Sequence, residues 1–126
     1  MPTAYPLSWP FGWARTKTRE AARFHGTTRR YSSDGQQAWN SKTDLTIAEA
    51  ITRLSRELDR LGVRRDDIVV STNVQVRLDG LPRSDARRVD DPGAAVYFKM
   101  NGKPRVLACD KWMTVADNLA AVAKHI

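Results

Sequence analysis

Two carboxylates fall where strands should end, Asp79 and Asp110, and Lys111 follows the second directly. Acids on neighbouring strands with a lysine nearby are the parts of a magnesium-dependent nuclease, where carboxylate oxygens hold the hard cation. That chemistry needs an acid-x-Lys group, so that both side chains share one face of a strand. Asp110 and Lys111 are adjacent and point to opposite faces, and none of the three expected strands contains Glu-x-Lys. The spacing therefore argues against a nuclease, and Asp79 before Gly80 reads as turn chemistry, its carboxylate accepting from nearby backbone N–H groups. A serine nucleophile fares no better. Ser71 and Ser84 lack a Gly-x-Ser-x-Gly turn, and neither His25 nor His125 has a positional reason to approach them. One cysteine, Cys109, and two histidines are too few for a structural zinc site, and Cys109 at the end of an apolar strand reads as a small buried hydrophobe. The expectation is a protein without catalytic residues, metal or cofactor.

The second group of residues is basic and aromatic. Of the net charge of +7, +5 lies in residues 1–43, where Arg15, Lys17, Arg19, Arg23, Arg29, Arg30 and Lys42 face only Glu20 and Asp34. Tyr5, Trp9, Phe11 and Trp13 lie just ahead of this charge in the same arm. Cationic side chains supply salt-dependent attraction to phosphate, and aromatic rings stack on bases. A second set of arginines, Arg77, Arg83, Arg87 and Arg88, stands in and beside a loop further on. The candidate contact residues for a nucleic acid or another partner are thus Trp9, Trp13, Arg15, Arg23, Arg29, Arg30, Arg77, Arg83, Arg87 and Arg88. No helix-turn-helix, RNP or zinc-finger pattern accompanies them, so the charge carries the expectation alone.

These residues must be positioned by a small scaffold. A chain of 126 residues with 41% hydrophobic and 28% charged residues suits one compact domain, neither disordered nor membrane-spanning. No apolar run approaches the roughly 18 residues of a membrane helix, and no apolar stretch behind a basic start suggests a secretory signal. A cytoplasmic protein is expected.

Residues 1–45 form an arm rich in Pro, Trp and Arg without sustained periodicity, expected to run extended because each proline fixes its own φ and restrains its predecessor. Within it, Thr16–Phe24 is a candidate short helix and Ser32–Gln36 a turn. Four aromatics in nine residues are too many to leave in water, which predicts that Trp9 and Trp13 dock on the core or on a partner.

Residues 46–126 carry the stronger signals. Thr46 and Glu49 form a capping box, Ile47, Ile51, Leu54, Leu58 and Leu61 follow at helical spacing, and Gly62 suits the left-handed position after the helix. From Ile68 to Leu78 apolar and polar residues alternate, predicting a long half-buried strand with Ile68, Val70, Thr72, Val74, Val76 and Leu78 inward. A loop of 14 residues, Gly80–Gly93, follows, and Asp91-Pro92-Gly93 suits a type II turn at its end. Asn101-Gly102 between Ala94–Met100 and Lys103–Cys109 predicts a two-residue hairpin of type I′. Pro104 cannot donate to a ladder, which puts its strand at the edge and 94–100 in the centre. Thr114 and Asp117 open a last helix with Val115, Leu119, Val122 and Ile126 on one face, and its apolar, uncapped end at Ile126 predicts a helix cut short. The fold expected is α+β: a three-stranded antiparallel meander with two amphipathic helices on one face, in the order α-β-β-β-α, preceded by the extended Pro/Trp-rich arm docked on that core.

Five strings, AYPLSWPFGWART (4–16), STNVQVRLDGLPRS (71–84), DPGAAVYF (91–98), VLACDKW (106–112) and DNLAAVAKHI (117–126), resemble the N-terminal region of phage and prophage DnaJ-like, J-domain-containing proteins. The resemblance spans nearly the whole chain apart from its middle. It implies a mobile-element setting and a domain that recognises something for a J partner. The His-Pro-Asp tripeptide through which a J domain contacts its chaperone ATPase does not occur, so co-chaperone activity does not carry over. The reading that follows is a non-enzymatic binding module from a phage or mobile element, contacting nucleic acid or a nucleoprotein assembly. The alternative is an inhibitor or adaptor that binds a host defence protein, with Trp9, Trp13 and Tyr97 as anchors.

Overall fold

The computed structural model describes residues 2–19, 25–31, 35, 38–83 and 89–126; for 25–31 and 38–44 only the backbone is described. The elements run β1 (His25–Tyr31), β2 (Ala38–Asp44), α1 (Ile47–Arg60), a single 3-10 turn (Arg65–Asp67), β3 (Ile68–Thr72), β4 (Ala94–Met100), β5 (Lys103–Cys109) and α2 (Val115–Lys124). The antiparallel sheet β3-β4-β5 and the two helices on one of its faces make the α-β-β-β-α core.

Helix α1 starts where its chemistry demands. Thr46 Oγ1 accepts from Glu49 N–H at 3.1 Å while Glu49 Oε1 accepts from Thr46 N–H at 3.2 Å, so two donors the helix leaves open are satisfied reciprocally. It ends at Leu61, and Gly62 takes a φ of +76°. Leu54 and Leu58 are buried against Val70, Val96, Phe98 and Leu119, each side chain contributing about 1.5–3 kcal/mol by leaving water. Asn101 and Gly102, with φ of +54° and +76°, close the β4–β5 hairpin in the expected register, Met100 opposite Lys103 and Lys99 opposite Pro104. β4 is central and β5, with Pro104, is an edge.

The strand predicted over Ile68–Leu78 stops at Thr72. Thr72 Oγ1 accepts from Val74 N–H at 3.1 Å, a local bond that competes with the ladder, and β4, beginning at Ala94 opposite Thr72, offers no partner beyond it. Val74 still points inward, but Leu78 is fully exposed and Val76 partly so. Residues 75–83 fold back on themselves instead, with a bridge between Val76 and Pro82 and bonds from Arg77 N–H to Leu81 C=O and Arg83 N–H to Gln75 C=O. This excursion takes up the start of the predicted loop 80–93; residues 84–88 lie outside the described residues.

Gly93 does not take the positive φ a type II turn requires. Asp91 Oδ1 accepts from Gly93 N–H at 3.2 Å, and this side-chain bond shapes the turn.

The arm also departs from an extended run. It turns at residues 4–7 and again at 10–13, where Gly12 has a φ of +83° and Trp13 N–H reaches Pro10 C=O at 3.3 Å. Thr16–Arg19 is not helical, because Thr16 and its neighbours are tied to Asp110; Glu20–Phe24, the rest of that predicted helix, lies outside the described residues. The hairpin β1–β2, pairing His25 with Asp44 through Tyr31 with Ala38, occupies a stretch of the extended arm where no strands were expected. Its strands, HGTTRRY and AWNSKTD, carry no apolar alternation, so periodicity has nothing to register. The predicted Ser32–Gln36 turn falls outside the described residues except for Gly35, whose φ is +73°.

Candidate functional site

Residues 4–19 cover the sheet face opposite the helices. Along the edge of β3, Thr72 N–H donates to Ala4 C=O at 3.0 Å. Next, Leu7 N–H donates to Asn73 Oδ1 at 3.0 Å, and Ser8 N–H to Ser71 Oγ at 2.7 Å. The Tyr97 hydroxyl, on the same face, donates to Ser8 C=O at 2.6 Å. The polar face of β3 meets the chain's own arm, and Ser71 and Ala95 are fully buried there. Among the described residues no buried side-chain N or O atom lacks a hydrogen-bond partner, which is why hydroxyls and an amide can line this face without penalty.

The arm then reaches the two acids at the sheet's end. Arg15 Nε donates to Asp110 Oδ2 at 2.7 Å and its Nη2 to Asp91 Oδ1 at 2.5 Å. Thr16 gives its N–H to Asp110 Oδ2 at 3.0 Å and its hydroxyl to Oδ1 at 2.6 Å. Arg19 Nε donates to the Asp110 carbonyl at 3.1 Å. Burial pushes the Asp110 carboxyl up, but the Thr16 bonds and Arg15 outweigh it, and the group is held below the usual carboxylate range. Asp91 behaves alike: burial raises it, while Arg15, the Gly93 N–H and Arg19 bring it below. Burial likewise works against the Arg15 charge, and the two acids reverse this to leave its pKa raised.

Asp110 therefore latches the arm, with both carboxylate oxygens engaged. Asp79 accepts from Leu81 N–H at 3.0 Å and pairs with Arg77 at 2.9 Å; that N–H first, then the guanidinium, lowers its pKa. Among the described residues no three His, Cys, Asp or Glu side chains gather as metal ligands, and no helix is long and apolar enough to cross a membrane. Cys109 is half-buried, and burial pushes its thiol up, away from the reactive thiolate.

Among the ten candidate contact residues, Arg15 is engaged by Asp91 and Asp110 while its side chain stays 38% exposed, and it also lies over the Trp9 ring at 4.5 Å from its centroid. Trp9 is half-buried and bonds the Trp13 carbonyl through Nε1 at 3.0 Å; Trp13 is 42% exposed. Arg77 pairs locally with Asp79, and Arg83 is exposed. Of the others, Arg23, Arg87 and Arg88 lie outside the described residues, and Arg29 and Arg30 are placed on β1 by backbone alone. Phe11, which was not among the candidates, is fully exposed at the tip of the 10–13 turn.

Two positions escaped the sequence. A Cβ on Gly93 would stand 3.0 Å from Leu7 Cδ2 and 3.3 Å from Arg15 Nη2, so its smallness admits the arm. Asn118, fully buried, donates through Nδ2 to the carbonyls of Pro92 at 2.8 Å and Trp112 at 3.0 Å and accepts from Trp112 N–H at 3.0 Å. It stitches α2 to both segments that carry the latch acids. Its polarity beside the apolar run Leu119–Ala123 was the available signal. Comparison with known proteins finds no match among protein families, curated proteins or solved structures.

Proposed function

We propose that the chain is a non-enzymatic binding module of a phage or related mobile element, acting in the cytoplasm of the host bacterium, and that it contacts single-stranded nucleic acid or a nucleoprotein assembly through its aromatic, basic arm. The observation that supports this reading is Phe11: a whole phenyl ring held in water by a turn whose flanks are pinned to the sheet. Leaving such a ring exposed forgoes burial, and a fixed aromatic face is what stacking on bases needs. Trp13 stands beside it partly exposed, Lys17 is exposed, and the chain carries +7. Arg15, in contrast, acts through the arm's position and not by touching phosphate.

Fluorescence anisotropy with labelled oligo-dT and oligo-rU tests this. Affinity is expected to fall on the order of tenfold or more between about 50 and 200 mM salt, and Phe11→Ala is expected to weaken binding by about 1–3 kcal/mol. No binding at low salt, or a flat salt response, overturns the reading. A second reading, a host-protein inhibitor or adaptor, is favoured by one observation: Leu78 is fully exposed at the end of the 75–83 excursion, between Arg77 and Asp79. An apolar tip with a charged rim suits a protein partner, and retention of a host protein after nuclease treatment, lost on Leu78→Asp, would mark that role.

A further inference from the structure

Between α1 and the outer edge of β3 lies a cleft of about 440 Å³, walled by Ile51, Leu54, Leu58, Val70 and Leu81, with Pro2 and Ala4 of the arm at one end. A second depression shares Ile51, Ser55, Arg65, Asp79 and Leu81 with it and continues along α1 towards Arg56. The two form one trough.

β3 is an edge strand whose main-chain groups alternate between β4 and the outside. Those of Ile68, Val70 and Thr72 face out. Ile68 N–H is taken by Arg65 C=O and Thr72 N–H by Ala4 C=O, which fixes that direction. Between them, the same alternation turns the N–H and C=O of Val70 away from β4, and no backbone bond outside the ladder reaches them among the described residues, although Val70 is only 3% exposed. A recessed donor and acceptor from one residue, beside an apolar wall, is an unfinished hydrogen-bonding site, since buried main-chain groups are otherwise paired.

We infer that this trough takes an extended peptide segment of a partner protein, which adds to the sheet at Val70 and continues the edge contact that Ala4 begins. One peptide residue opposite Val70 supplies both missing bonds, and its neighbours alternate, so one side chain enters the pocket against Ile51, Leu58 and Leu81. The side chain it accepts is apolar and mid-sized. Arg56 and Arg65 stand on the rim with no ion pair among the described residues. Asp59 and Asp66 share that rim and balance its charge, so the preference for a segment carrying an acidic residue comes from the +7 of the chain as a whole, which steers it in. This surface is separate from the arm's turn at Phe11, so either site can fail without the other.

Selection of short peptides from a random displayed library on the full chain is the test, with amide chemical-shift mapping of the selected peptides. Expected are sequences with apolar residues at alternate positions and one acidic residue, shifts concentrated at Ile51, Ile68–Val70 and Leu81, and a loss of roughly tenfold when the one peptide amide facing Val70 is N-methylated. Ser55→Trp, which would place an indole in the trough, is expected to abolish binding. Should that variant fail to fold, the N-methyl scan, which leaves the protein untouched, decides. No selected peptide, shifts confined to other surfaces, or indifference to N-methylation at every position overturns the inference.

Discussion

Arg15 and Asp110, 95 residues apart, are joined at 2.7 Å, and the same guanidinium bridges onward to Asp91. A residue that composition marks as a cation for an outside partner is thereby the arm's anchor. Arg15→Ala is expected to cost about 2 kcal/mol in urea denaturation, the range for bonds to charged groups, discounted because the guanidinium is partly exposed. Arg15→Lys is expected to recover little, since an ammonium cannot span two carboxylates in the planar fork.

The anchor titrates. Both Asp91 and Asp110 have pKa values depressed in the folded protein, so the unfolded chain binds protons more readily than the native one. Their contribution is present in full above the ordinary carboxylate range, about pH 4, and is lost as pH falls through the lowered values. Urea midpoints measured across that interval should drop with acid for the wild type and drop less for Asp110→Asn.

Gly93→Ala places a methyl against Leu7 and Arg15. The expected result is a core that stays folded with an arm that docks less tightly, a penalty of about 1 kcal/mol, read as faster trypsin cleavage at Arg15 and Lys17 and faster amide exchange at Ser8.

Asn118→Ala removes three hydrogen bonds from a fully buried site and strands two carbonyls and an N–H of Pro92 and Trp112. A loss of about 2–3 kcal/mol is expected from thermal unfolding, with amide shifts changing at residues 91–93 and 110–113. As a core benchmark, Leu54→Ala should cost about 2–5 kcal/mol without moving those shifts.

Local chemistry was legible where a few neighbouring residues decide the outcome. Thr46 with Glu49, Asn101 with Gly102, and Pro104 at an edge each carry their structural consequence within a turn or two of chain, and from them the α-β-β-β-α order follows. The alternation through Ile68–Leu78 misled because period 2 reports which side chains suit a strand, not whether a neighbour exists to pair with; past Thr72 there is none. β1–β2 was missed for the converse reason, being paired by main chain without an apolar face. In the candidate site, aromatic and cationic residues were visible, but Arg15 meeting Asp110, Gly93 meeting Leu7 and Asn118 meeting Pro92 depend on distant chain segments. No spacing rule couples those positions.

A latch built this way has a temporal consequence. Residues 4–19 leave the ribosome well before the acids that receive them, Asp91 lying 76 residues after Arg15 and Asp110 lying 95 after it. Until then the aromatic segment has no home, and its tryptophans are open to trigger-type chaperones or to premature association. The stretch made earlier must wait for the one made later before it can settle.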